Sequence, residues 1–435
     1  MTTRTNYAAP PTLVARLPIH FFAIATVFFC AGTLATPYVV SDLVVFFYQP
    51  RVLALTHTFT LGWITATIMG VMYRYVPALT RHPLPYPRLA TAQLALFLIG
   101  VIGLIAHMAL NSWVGTWFSA GVLVISVLMF AGNLSACLMP KFGAGVAESG
   151  MMIAILFLLT AAVLGLLMAL DKTFNFLPGS VLTNIAGHAD FAAIGWVTLT
   201  ICAASYRFLP AFLLPKLELP RAAIWQLYGL AIGVVALGVT LIARAPGAVL
   251  WTALIEVSLI SYIVTIGRLI RSRRMPFDWT ARHAIAGIAW LVIAGILGMQ
   301  LAWIGASSEV GNRLAGAYGA LGLVGWITNF IIGMSYHLFP GFVARARAVL
   351  QWPACTVSEL SVARPRPFVF FALNAGILIL ASGLIAASTM IAAFGAIAIA
   401  AGALVYCPMT WWTLSYAYRR GVPVAAKTEF RIIPN

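Results

Sequence analysis

The sequence predicts an all-α membrane protein of about twelve transmembrane helices, set in three pseudo-symmetric arcs of four. Its apolar composition, the placement of its basic residues and an internal repeat each point there. Of 435 residues, 62% are hydrophobic and 8% charged, whereas a soluble globule carries about a quarter charged residues. Lipid must therefore be the solvent for most of the chain. A bilayer core of roughly 30 Å asks about 20 apolar residues of each helix. Such stretches recur near 17–38, 52–77, 89–110, 116–138, 147–170, 181–209, 221–244, 248–270, 282–304, 313–339, 367–388 and 390–415.

The net charge of +16 is topology and not a nucleic-acid footprint. On the twelve-helix reading, 22 of the 26 Lys and Arg fall on the N-terminus, the even-numbered loops and the C-terminus. Arg51, Lys172, Arg244 and Arg313 are left for the other side. The positive-inside rule then places both ends in the cytoplasm of a cell whose inner membrane holds the protein. Anionic lipid adds some attraction for the basic face.

Residues 1–16 form a polar N-terminal tail, 17–415 a single membrane domain with repeats at about 17–138, 147–270 and 282–415, and 416–435 a C-terminal tail. The first span is too long for a signal peptide and has no small-residue cleavage site. The five cysteines are scattered, with no C-x-x-C and no C-x-x-C-H, so no zinc site, disulfide framework or c-type haem attachment is expected. Longer polar segments are expected only at 271–282 and 345–366.

Self-comparison yields the repeat. Gly62-Trp63 runs on to Tyr73-Arg74 and Pro77, Gly195-Trp196 to Tyr206-Arg207 and Pro210, and Gly325-Trp326 to Tyr336-His337 and Pro340. In all three the Trp to Tyr spacing is ten and the Trp to Pro spacing fourteen, and the copies lie 133 and 130 residues apart. That interval holds four spans, so helices 2, 6 and 10 are equivalent. His20 and His283 each precede their repeat's Trp by 43 residues. Three parallel units suggest an axis along the membrane normal, in contrast to inverted transporter repeats, with three interior clefts between equivalent helices.

With H-x-x-x-L-G-W opening helix 2 at His57 and a G-W helix recurring as helices 6 and 10, the chain resembles subunit I of haem-copper oxidases. The resemblance is closest to the cbb-type and nitric-oxide-reductase-like branch and covers nearly the whole length. In that family, histidines on helices 2 and 10 clamp a low-spin haem, a second helix 10 histidine holds the high-spin haem, and helices 6 and 7 bring three copper-binding histidines. The resemblance makes His57 the helix 2 haem ligand and sets His188 where relatives carry H-x-H. Elsewhere the chain departs. Asp190 stands at the second H-x-H position, Ala320 at the helix 10 equivalent of His57, Tyr318 at the equivalent of Leu55, and helix 7 has no histidine. A copper site needs about three imidazoles and an oxygen-reducing centre a proximal histidine besides. Copper and full oxygen-reducing activity are therefore not expected.

Depth sorts the histidines. His57, His107 and His188 lie toward the outer face, and His20, His82, His283 and His337 toward the cytoplasmic one. The helix from His57 to Pro77 covers roughly 30 Å, so His57 and His337 cannot share one iron. His57 heads a strip of Thr60, Leu61, Ile64 and Ile68 that suits a porphyrin face; the plainer alternative is a histidine hydrogen-bonded to a neighbouring helix. Asp190 and Glu256 are intramembrane acids, costly unless protonated or paired, and are candidates for carrying protons or for pairing. Arg74 and Arg207 read as snorkelling anchors, and Trp63, Trp196 and Trp326 as packing between arcs, their Gly neighbours allowing close approach.

The leading expectation is a subunit I-like protein that binds haem b through His57, with His107 or His188 as further ligand or the sixth position open to a small ligand such as nitric oxide. It would serve respiratory or denitrification electron transfer beside other respiratory subunits or a cytochrome. A second reading is an NnrS-type membrane haem protein of the nitric-oxide response, although its H-E-M signature is absent. A third is a structural subunit or transporter that kept the fold without the cofactor.

Overall fold

The computed structural model describes residues 11–214 and 218–420; most of the expected tails, at 1–10 and 421–435, lies outside them. Among the described residues, twelve helices are long and apolar enough to cross a membrane: α1 Ala15–Val45, α2 Pro50–Thr80, α3 Pro87–Ala109, α4 Trp113–Lys141, α5 Val146–Phe174, α6 Val181–Ala211, α7 Ala222–Ala243, α8 Ala248–Arg271, α9 Trp279–Ile304, α10 Glu309–Val349, α11 Arg366–Ile385 and α12 Thr389–Ser415. All twelve expected spans are present. The first and tenth run past their expected ends.

Helix α10 continues to Val349, where a polar loop was expected from residue 345. Arg347, fully buried, explains the extension. Its guanidinium donates to the carbonyls of Pro353, Tyr416 and Arg419 at 2.9 to 3.1 Å, so a charge that reads as loop is satisfied inside the protein. At the other end the helix leading into α1 begins at Pro11, within the expected N-terminal tail. Pro supplies the fixed φ that suits a first helical turn.

The packing closes on itself. Within each arc the first helix lies on the second: α1 on α2, α5 on α6, α9 on α10. Between arcs, the fourth helix of one packs on the first of the next: α4 on α5, α8 on α9, α12 on α1. The second helices, α2, α6 and α10, meet one another along the centre. The Gly of each Gly-Trp pair lets the first helix of its arc lie close against the second. A Cβ on Gly62 would strike the Phe28 ring, one on Gly195 the Phe157 ring, and one on Gly325 the Trp290 side chain.

Each central helix also leaves α geometry at its middle. π-Helical runs occupy Thr58–Thr65, Asp190–Thr198 and Leu321–Thr328, with Trp63, Trp196 and Trp326 all 1% exposed or less. π-Helical turns are rare and concentrate at functional sites. Here the three sit side by side at the molecular centre.

Candidate functional site

The repeat lets the residues around the start of the π-runs be compared across helices. Six residues before the Trp stand His57 on α2, Asp190 on α6 and Ala320 on α10; eight before it stand Leu55, His188 and Tyr318. The structure pairs these positions cyclically. His57 lies within electrostatic reach of His188 on α6, and Asp190 within reach of Tyr318 on α10. In both cases the −6 residue of one central helix lies within electrostatic reach of the −8 residue of the next. The cleft between α2 and α6 carries two imidazoles, and that between α6 and α10 a carboxyl and a phenol.

In the first cleft, His57 Nδ1 lies 2.8 Å from the carbonyl oxygen of Leu53, one turn back. That bond fixes the ring and leaves Nε2 without a protein partner. Opposite it, the His188 ring rests against Gly165 of α5, about 3.1 Å from where a Cβ would stand there. Its Nδ1 is buried and makes no hydrogen bond of good geometry; the carbonyl of Ala161 on α5 is the group beside it. Buried polar atoms are almost always satisfied, and this nitrogen, beside that carbonyl without a good bond to it, is the under-satisfied group of the cleft. Two imidazoles on adjoining helices, His57 with its Nε2 free of protein partners and His188 against the small Gly165, are the donor type an iron porphyrin takes.

Part of the expected strip differs. Thr60 and Leu61 stay half-buried beside His57, but Ile64 is fully packed and Ile68 is 7% exposed. The π-run shifts the register between residues 57 and 64, so a face counted at 3.6 residues per turn does not continue through it. Of the two further ligands expected beside His57, His188 on α6 is the one within its electrostatic reach. The signal for the α2–α6 pairing lay in the −6 and −8 offsets of the repeat.

His107 is not part of this cleft. It lies between α3 and α4, its ring against Gly115 and its Nδ1 3.3 Å from Ser119 Oγ. His283, buried on α9, has Nδ1 2.8 Å from Asn329 Oδ1, whereas His20 has its ring 5.9 Å from that of Tyr418; the sequence pair therefore has unlike surroundings. Asp190 is 5% exposed, and neither of its oxygens finds a hydrogen-bond partner of good geometry. It does not pair with a histidine. Glu256, on α8, rests on Gly295 of α9 and also lies within electrostatic reach of Tyr318. Among the described residues no three His, Cys, Asp or Glu converge as a metal cluster.

Against known proteins the fold decides. The chain is similar to a solved heme-copper terminal oxidase, determined by cryo-EM as a dimer, with a TM-score of 0.63 at 14% identity over 93% of this chain and 85% of that one. It has a haem-copper oxidase subunit I-like fold. No family model matches the chain, and no curated protein matches it by sequence. The subunit I-like protein is thus a multi-pass membrane protein whose site must be judged on its own residues.

Proposed function

We propose that this subunit I-like protein binds haem, of b type, in the cleft between α2 and α6, with His57 and His188 as iron ligands, and that it serves respiratory or denitrification electron transfer. The single observation that carries the reading is that His57 and His188, intramembrane imidazoles on two adjoining central helices, lie within electrostatic reach of each other. The Leu53 carbonyl orients His57 and selects the nitrogen it presents, while Gly165 keeps the neighbouring wall low enough for a flat group. Haem held there would supply one-electron chemistry, its potential set by two imidazoles and a dry surround. A complete haem-copper centre is not part of the proposal, because two imidazoles fall short of the copper set.

The same reading places both chain ends in the cytoplasm and the protein in the inner membrane, where 22 of 26 basic residues would face inward. Other respiratory subunits or a cytochrome would then supply and remove electrons. The test is the visible spectrum and pyridine haemochrome of the purified protein. One haem b per chain, lost in His57→Ala, is the expected result; haem-free protein from haem-replete cells would instead favour an unliganded scaffold.

A further inference from the structure

An apolar groove lies away from the haem cleft, on the lipid-facing side between α8 and α9. It encloses about 210 Å³, where one water asks for roughly 10–15 Å³ on the same measure. Its walls are aliphatic: Leu259, Ile263, Leu291, Val292 and Ile296, together with Met299. Ile260 and Ile296, each 56% exposed, and Val292, 45% exposed, open it to the bilayer. At one end stands a single polar group, the Glu256 carboxyl, seated on Gly295 where any side chain would collide with it. Counted from Ala248 at the start of α8, that carboxyl is ~12 Å into the membrane.

Among the described residues nothing hydrogen-bonds or ion-pairs with Glu256; the only titratable group acting on it is Tyr318. An unpaired carboxylate in hydrocarbon costs several kcal/mol, a cost the neutral acid avoids. A neutral carboxyl both donates and accepts a hydrogen bond. A hydroxyl satisfies both functions at once, whereas the aliphatic walls satisfy neither. We propose that the groove binds a membrane-soluble amphiphile by its hydroxyl head group, with Glu256 as the polar anchor and the ligand's chain along α8 and α9. This site is independent of the haem reading.

A hydroxyl head on an apolar chain could belong to an aliphatic alcohol of the bilayer or to an isoprenoid hydroquinone. The experiment uses the full chain in phosphatidylcholine nanodiscs with a diazirine-bearing dodecyl alcohol, cross-links being mapped by mass spectrometry. Labelling is expected in 256–263 and 291–299 and to persist in Glu256→Gln, which keeps a donor and an acceptor. It should fall ~5-fold in Glu256→Leu, the loss of about one hydrogen bond, and vanish in Ile296→Trp, which fills the groove from the lipid side without touching the core. Preferential displacement by dodecanol assigns the alcohol source, and by decyl-hydroquinone the hydroquinone source. Displacement by dodecane as effective as by dodecanol, or undiminished labelling in Glu256→Leu, overturns the proposal and leaves bulk lipid as the occupant. If Glu256→Leu does not purify as a single species, persistence of labelling in Ile296→Trp does the same.

Discussion

The indole nitrogen of Trp63 donates to Thr328 Oγ1 at 3.1 Å, joining α2 to α10. The bond belongs to a cycle. Trp196 donates to Thr65 at 3.2 Å and Trp326 to Thr198 at 3.3 Å, so each Trp is held by the Thr two residues beyond the Trp of another repeat. Thr198 and Thr328 in turn donate to carbonyls five residues back, those of Ala193 and Leu323, the spacing a π-helical turn provides. The π-runs and the ring of tryptophans are one device. It locks the three central helices in the register that sets which residues face each cleft.

Breaking one link should cost stability without unfolding the protein. Thr65→Val keeps the side-chain shape and leaves the buried Trp196 N–H unpaired. Unsatisfied buried donors cost about 1–3 kcal/mol in soluble proteins, and polar bonds within membranes average about 0.6 with a maximum near 1.7 kcal/mol. A loss of about 1 kcal/mol is expected in reversible unfolding from mixed micelles. Thr65→Ser should be close to neutral, and equal destabilisation by Ser and Val would deny the hydrogen bond its role.

Much of this fold could be read from residue types alone, because lipid forces apolar runs of fixed length and the Gly-Trp repeat marks the equivalent helices. Arg345 and Arg347 misled, since a basic pair after a span reads as a loop while the carbonyls that cage Arg347 come from residues up to 72 positions away. The site was legible in its members and not in its pairings. His57 and His188 are visible as intramembrane imidazoles, but their meeting across one cleft depends on the π-helical register, which has no compositional signature. His107 looked equivalent by depth; only the α3–α4 packing removes it.

At the basic face, His337 Nε2 lies 2.7 Å from Asp278 Oδ2, and Asp278 also caps α9 through the Ala281 amide. Partial burial pushes the Asp278 carboxyl up, but the hydrogen bonds from His337 and Ala281 outweigh it and hold the group below its ordinary value. A depressed folded-state pKa gives stability that is present above the unfolded value near 3.9 and lost as pH falls through the folded one. Asp278→Asn should therefore be less stable than wild type at pH 7. The gap should close below about pH 4, and a gap independent of pH in thermal melts would assign the effect to packing alone.

Copper content follows from the imidazole count. With two histidines in the α2–α6 cleft and Asp190 with Tyr318 in the next, elemental analysis of protein purified from copper-replete cells should find well under one copper per chain. A stoichiometric value would restore the full oxidase reading.

Orientation is open to direct measurement. Reporter fusions after Arg273 and Arg364 are expected to score as cytoplasmic, since the loops they interrupt belong to the basic face. Periplasmic activity at both sites would invert the proposed topology while leaving the helix packing as described.

The sharpest prediction separates the two imidazoles of the cleft. If His57 and His188 both ligate iron, the ferric haem is six-coordinate and low-spin. Removing His57 should abolish retention, because its ring is held in place by the 2.8 Å hydrogen bond between Nδ1 and the Leu53 carbonyl. Removing His188 should leave haem bound through His57 but open the sixth position, giving a high-spin ferrous form whose spectrum shifts with carbon monoxide. His107→Ala should change neither content nor spin state, since its ring is engaged by Ser119 between α3 and α4. His337→Ala should be equally silent, as the residue lies near the opposite face and bonds Asp278. A low-spin spectrum that survives His188→Ala would show that the sixth ligand comes from elsewhere, and haem retained at full content in His57→Ala would move the site out of the α2–α6 cleft altogether.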